Sequence, residues 1–183
     1  MLARGPATTY LRRFLARREV TPQRELTPTP VTRALPLKAV PRSYSDRIVL
    51  IGDAGGFTKP TTGGGIFYSL LTASLAADTL IEAFRVGRFD AEALAPYRQR
   101  WRERLARELW AGEWVRRAAV RCSDAEIDRL VAALGAEQVS EAIQSRARFN
   151  WHRRLIVTLL QDPEIGSIFV RALFRGGRRR ARW

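Results

Sequence analysis

Cysteine, histidine and lysine are almost absent from this chain of 183 residues: Cys122 and His152 stand alone, and Lys38 and Lys59 are the two lysines among 32 basic residues. One cysteine excludes an internal disulfide and any cysteine-based zinc site. Cys122 precedes a helix cap among apolar residues, which reads as a buried, inert thiol. His152 sits between Trp151 and Arg153 with no second ligand or acid partner in sequence reach, so it reads as structural or solvent-facing, and no metal site is expected. No run reaches the roughly 18 apolar residues of a spanning helix, and the first residues lack the continuous apolar core of a signal peptide. A cytoplasmic location is the expectation. Internal repeats are missing, as are low-complexity segments apart from an arginine-rich end.

What is present is enough for a domain with a real core. Apolar residues make up 46% of the chain, with five Trp and eight Phe, which is globular rather than disordered. Acidic residues number 18, giving a net charge of +14. Part of the arginine bias is what GC-rich coding produces. The field that remains attracts polyanions or anionic lipid surfaces without specificity, and no specific nucleic-acid partner is expected.

One stretch asks for a ligand: Arg47 to Phe67, RIVLIGDAGGFTKPTTGGGIF. Ile48 to Ile51 are four branched apolar residues between Arg47 and Gly52, the pattern of a strand buried on both faces. Asp53 follows at the strand's carboxyl end, where open α/β sheets place groups that touch ligands. From Gly63 to Ala77 there is no charged residue, and Ile66, Leu70, Ala73, Ala77, Leu80, Ile81 and Phe84 recur at helical spacing. A largely buried helix is therefore predicted from the glycine triplet onward, its amino end facing the same crevice as Asp53. Three glycines there let a ligand approach the backbone and leave N–H groups and the positive dipole end directed at it. A planar, electron-rich or anionic group suits such a site. The plainer reading is a strand, turn and helix whose glycines allow tight packing; the joint order of strand, Gly-Asp, Pro and three glycines argues against packing alone.

These residues resemble the second flavin-binding motif of FAD-dependent oxidoreductases built like p-hydroxybenzoate hydroxylase, and within them the geranylgeranyl reductase family. Gly52-Asp53-Ala54-Gly55-Gly56, then Lys59-Pro60-Thr61-Thr62-Gly63-Gly64-Gly65-Ile66, is similar to the reductase form of the motif, with weaker similarity running to about Ser123. The resemblance implies FAD contacts at Gly52, Asp53, Ala54, Gly55, Pro60, Thr62, Gly63, Gly64, Gly65 and Ile66. In that reading Asp53 accepts hydrogen bonds from ribityl or ribose hydroxyls, the N–H groups near Gly64 to Ile66 face the pyrimidine edge of the flavin, and Pro60 holds the loop over the ring edge. The implied activity is hydride transfer from flavin to an isoprenoid double bond, with NAD(P)H or ferredoxin as electron donor and a prenyl lipid as substrate. No catalytic residue is singled out.

The family's first flavin motif, Gly-x-Gly-x-x-Gly after an amino-terminal strand, is absent. The expectation is therefore the carboxyl-terminal part of a longer enzyme, needing its amino-terminal half or a complementing chain, with an under-paired sheet and little activity or FAD retention alone. Its fold class is a mostly helical α/β fragment: one buried strand and glycine-rich loop of an FAD-binding sheet, remnants of a substrate domain, and a C-terminal helical region. The expected divisions are 1–45, 46–121 and 122–183.

In the first of these, Tyr10, Leu11, Phe14 and Leu15 beside four arginines suggest an amphipathic helix closing before Pro22. Five prolines from Pro22 to Pro41 then leave room only for short edge segments such as Val31 to Leu37. In the second, Arg85 and Gly87 give the long helix a basic end and a terminator. Asp78 and Glu82 on that helix are expected to meet Arg85 or another cation. Asp90 opens a further helix that includes Pro96, with Trp101, Leu105, Leu109 and Gly112 on one face and the pair Trp110/Trp114 on an adjoining one. The aromatic stripe reads as core, the alternative being a tryptophan lining a prenyl tunnel. In the third, Ser123 to Glu126 is a capping box for a helix with Ile127, Leu130, Val131 and Leu134 on one side and Gly135 at its end. Helices follow at 136–148, 151–160 and from Pro163. Arg171, Arg175 and Arg178 to Arg180 either form a solvated, disordered tail or touch an anionic bilayer at its periphery.

Two alternatives share these features: an FAD-dependent monooxygenase of the same architecture, and a basic helical module that binds a membrane or partner protein without catalysis. Three glycines with Lys59 favour the reductase over the hydroxylase, which carries a single Gly-x-Gly.

Overall fold

The computed structural model describes residues 34–175 together with Thr9, Leu11 and Arg13. The chain divides into two compact units, Met1–Ala34 and Leu35–Trp183. In the first unit, Thr9, Leu11 and Arg13 are helical and exposed; the rest of the expected amphipathic helix lies outside the described residues, as do 31–33 and the tail after Arg175. Residues 34–37, the described part of the expected edge segment, are irregular.

The second unit is mostly helical. Its only sheet among the described residues is a hairpin, β1 (Tyr44–Ser45) antiparallel to β2 (Ile48–Val49), with Tyr44 opposite Val49. Arg47 turns the chain at φ 58°. This corrects the expectation of a strand buried on both faces: Ile48 is 52% exposed and Ile51 41%. A central strand needs a neighbour on each edge, and β1 supplies one edge only. With no second neighbour described, the apolar run shortens to a hairpin arm and bends away at Gly52.

Among the described residues seven α-helices follow: α1 (Ile66–Val86), α2 (Ala91–Leu94), α3 (Pro96–Ala119), α4 (Asp124–Gly135), α5 (Glu137–Arg146), α6 (Arg153–Leu160) and α7 (Pro163–Arg175). The predicted Asp90 helix is two helices. Asp90 caps α2 through its carboxylate, which accepts from Ala93 N at 3.0 Å, and Pro96 then starts α3 at the position where its missing N–H costs nothing. Gly87 ends α1 in the left-handed conformation at φ 67°.

Helix α3 is the axis of the unit and touches α1, α6 and α7. Tyr97, Trp101, Leu105 and Leu109, four residues apart, are buried on one side as expected, in one cluster with Phe57, Tyr68 and Ala76. Their polar ends are satisfied: Tyr97 Oη donates to Leu50 O at 2.8 Å and Trp101 Nε1 to Ser43 Oγ at 2.8 Å, which pins the hairpin segment to the helix. Burial pushes the Tyr97 hydroxyl up to about 12. Trp110 is a correction to the aromatic stripe, being 67% exposed, whereas Trp114 packs on Phe169 of α7 at 6.2 Å.

The predicted α1 is present but its buried face is a different one. Tyr68, Thr72, Ala76, Thr79 and Ala83 point inward, while Ile66 (83%), Leu70 (68%), Ile81 and Phe84 are exposed. Small residues and threonines let α1 lie close to α3, and each threonine hydroxyl finds a partner: Thr72 donates to Tyr68 O and Thr79 to Leu75 O. Arg100 of α3 donates to Thr79 Oγ1 at 2.7 Å and pairs with Glu82 at 2.6 Å, the cation that Glu82 was expected to find. By length and composition alone α1 is apolar enough to span a membrane, contrary to the sequence expectation, because its serines, threonines and few charges are diluted among apolar residues.

Helix α4 begins with the predicted capping box, yet Val131 on its apolar side is 65% exposed and Glu126 is its buried residue. Glu126 receives both terminal nitrogens of Arg175, at 2.5 and 2.7 Å, and the Ser123 N–H at 2.9 Å. Arg175 is thus a tie between α4 and α7 and not a free cation for a bilayer. The Arg175 guanidinium first, and the Ser123 N–H second, hold the Glu126 carboxyl down to about 2.

A carboxyl lowered from 4.5 to about 2 on folding adds stability that is complete above pH 4.5 and is lost as pH falls toward 2. Glu126→Gln should therefore destabilise the protein by about 2 kcal/mol at pH 7. Urea unfolding should show that difference shrinking progressively between pH 4.5 and pH 2.

Candidate functional site

The glycine-rich segment is built so that the backbone runs against α1. Gly52 has φ 51°, its N–H donates to Thr72 Oγ1 at 3.1 Å, and a Cβ on it would lie 2.5 Å from Ser69 Oγ. Only glycine permits both the conformation and the approach. Residues Gly52–Gly55 form one 3-10 turn, ended by Gly56 at φ 72°, whose Cβ would lie 2.1 Å from Lys38 O. The carboxylate of Asp53 is exposed and accepts no hydrogen bond among the described residues. It stands beside the cap of α1: a Cβ on Gly65 would lie 2.8 Å from Asp53 Oδ1.

A groove of about 560 Å³ opens there, lined by Ile51, Gly52, Asp53, Gly65, Ile66, Ser69 and Leu70. Four of the predicted site residues, Gly52, Asp53, Gly65 and Ile66, are brought together around it. The amide groups at the start of α1 have no intrahelical partner and present partial positive charge to the same space as the Asp53 carboxylate. A ligand that offers hydroxyl donors to Asp53 and carbonyl or anionic oxygens to the helix start matches this pairing.

The other predicted residues serve the loop's shape. Ala54 is exposed beside Asp53, and Gly55 is buried with its Cα against the Phe57 ring. Gly63 turns at φ 72°, and its N–H donates to Lys59 O at 2.8 Å. Gly64 N reaches Thr62 Oγ1 at 3.4 Å, while Gly64 O accepts from Lys59 N at 2.9 Å. Pro60 is buried, turned toward α3 within 3.1 Å of where a Cβ on Gly112 would be.

Sequence reading missed the group that fixes this loop from behind. Lys59 is buried, and its ammonium donates to Phe149 O at 2.6 Å and Asn150 Oδ1 at 3.1 Å, with Nζ 4.4 Å from the Phe149 ring centre. Burial lowers its pKa from the usual lysine value. Thr61 meets His152 Nδ1 at 3.3 Å, Tyr68 Oη donates to Asn150 O at 3.2 Å, and Glu108 accepts from His152 N and Arg153 N. His152 is structural, as expected. Cys122 is partly exposed, not buried as expected; desolvation still raises its thiol pKa, and its Sγ lies 3.6 Å from Ala118 O, in keeping with low reactivity. The available signal for the loop's latch was the rarity of lysine.

The chain is similar to digeranylgeranylglycerophospholipid reductase 2 of Methanothermobacter thermautotrophicus, with 31% identity over 137 residues, which is 75% of this chain and 34% of that protein. It is also similar to the digeranylgeranylglycerophospholipid reductases of Methanothrix thermoacetophila (28% identity; 75% and 34%) and Methanospirillum hungatei (30%; 72% and 33%). No family model matches the chain. These relatives are reductases, so the class is an oxidoreductase family. These similarities support a relationship to the geranylgeranyl reductase family, and the chain spans about one third of the length of the curated relatives it matches.

The loop geometry separates two kinds of glycine. Gly52→Ala should cost about 2 kcal/mol or more through its positive φ and the overlap with Ser69. Gly64→Ala meets nothing closer than 3.6 Å and should change stability by less than about 0.5 kcal/mol. Paired thermal melts of the two variants check this.

Proposed function

We propose that this chain is the part of an FAD-dependent oxidoreductase that holds the ribityl and pyrimidine side of the flavin, in an enzyme that reduces isoprenoid double bonds of a geranylgeranylated glycerophospholipid. The observation that carries the reading is the single groove shared by the free carboxylate of Asp53 and the glycine-opened start of α1. A flavin fits this donor set: its side-chain hydroxyls suit Asp53, its pyrimidine-edge oxygens suit the N–H groups at Gly65 and Ile66, and the absence of a Cβ at Gly65 leaves room for close approach. When bound, the flavin supplies hydride to one carbon of the double bond, with NAD(P)H or ferredoxin as electron source. The residues of this chain position and shield: Asp53 orients, the start of α1 favours negative charge, and the Lys59 latch keeps the loop from swinging away.

We infer further that a nucleotide-binding portion, in a longer polypeptide or in a separate chain, completes the site. Ile51, Ile66 and Leu70, exposed in the wall of the groove, form an apolar border that such a portion would cover. The matched segment makes up about one third of each relative's length, which supports this. A monooxygenase of the same architecture would use the same groove; the reductase relatives favour the first reading.

The test is FAD binding by the full chain, followed by absorbance and fluorescence, alone and with the nucleotide-binding portion of a matched reductase added. Little FAD should be retained by the chain alone and markedly more by the mixture. Asp53→Ala should weaken binding at least tenfold at unchanged melting temperature. Tight binding and turnover by the isolated chain would overturn the inferred incompleteness, and binding indifferent to this substitution would overturn the site.

A further inference from the structure

A second groove, of about 760 Å³, lies on the far side of the turn that latches Lys59, between α3, the end of α5 and α6. Arg146, Arg148, Arg153 and Arg154 line it together with Glu108 and Trp151. None of the four guanidiniums has a carboxylate within ion-pair distance among the described residues, whereas Arg88 has two and Arg100, Arg117 and Arg175 have one each. Arg146 donates to the Thr158 hydroxyl at 2.9 Å. The side chains of Arg148, Arg153 and Arg154 have no partner among the described residues. Glu108, the one acid in the groove, is already engaged by the backbone amides of His152 and Arg153.

Four like charges gathered in a cleft repel one another, and the single carboxylate of Glu108 offsets only part of that repulsion. An external anion would offset the rest. Guanidinium is the side chain best shaped for it, since its planar fork donates two parallel hydrogen bonds to phosphate oxygens. Composition alone does not account for the arrangement: the other basic groove, around Arg98, Arg102 and Arg107, is the surface of α3 alone, while this one is walled by three helices and a turn. Trp151 and Val157 add an apolar side to the cationic one.

We propose that this groove binds a phosphate-bearing ligand, with the arginines on the phosphate and Trp151 and Val157 against its organic remainder. The groove alone carries the phosphate assignment; the identity of the remainder as a prenyl lipid rests on the proposed function. Because Trp151 also packs on Phe67 and Tyr68 of α1, at 5.6 and 6.5 Å, an occupied groove would stiffen the turn behind the flavin-type loop.

Calorimetric titration and thermal melts of the full chain with inorganic phosphate, pyrophosphate and dihexanoyl phosphatidic acid test this. Arg148→Gln/Arg154→Gln removes two exposed guanidiniums, and Arg102→Gln/Arg107→Gln removes the same charge from α3; circular dichroism confirms that both variants fold. The expected result is saturable binding with a raised melting temperature for wild type and the α3 variant, and at least tenfold weaker binding for the groove variant. Phosphatidic acid binding tenfold tighter than phosphate identifies a lipid headgroup, and pyrophosphate binding as tightly identifies a free phosphate; either supports the site. Equal losses in both variants, or no saturable binding of any probe, overturn it. Intact FAD binding alongside a failed phosphate response removes this inference only, and the reverse removes only the flavin reading.

Discussion

The contact on which the site depends is the approach of Gly52 to the side of α1. Its N–H is held by Thr72 and its Cα leaves no room for a side chain. That one approach sets where the chain stops being extended, which way Asp53 points, and which stripe of α1 faces inward. With Thr72 turned in, Thr79 follows at the next two turns and meets Arg100, so the helix is locked in rotation as well as position. The groove is the consequence: an acidic side chain and a helix start, both projecting from backbone that has no freedom to move apart.

Much of this was legible in the sequence because glycine and proline have local, steric meanings. Gly52, Gly56, Gly63 and Gly87 all sit at positive φ, and Pro96 and the Ser123 box mark helix starts. The rotation of α1 was not legible. Its uncharged sequence offers two apolar stripes, and periodicity favours the bulkier one, Ile66, Leu70, Ile81 and Phe84. Packing favours the stripe of small residues and threonines, because close helix contact depends on size and on satisfied hydroxyls more than on hydrophobicity. The local signal for this rotation is that Thr72 and Thr79, seven residues apart, mark the inward stripe of an otherwise apolar segment.

Long-range ties were invisible for a different reason. Glu126 is the N3 residue of a capping box, and nothing local says that Arg175, 49 residues on, completes its bonding. Lys59 and the turn at Phe149 and Asn150 are 90 and 91 residues apart. These pairs show two uses of charge in an arginine-rich chain: a few cations are buried or paired to join helices, and four arginines without a carboxylate partner among the described residues line one cleft.

The outward stripe of α1 also bears on the life of the chain before any partner arrives. Bulky apolar side chains in water on a helix of 21 residues are the kind of surface that chaperones and proteases recognise. If the proposed nucleotide-binding portion is what covers that stripe, the survival of a newly made copy would depend on how soon it is covered, and abundance in the cell would report assembly.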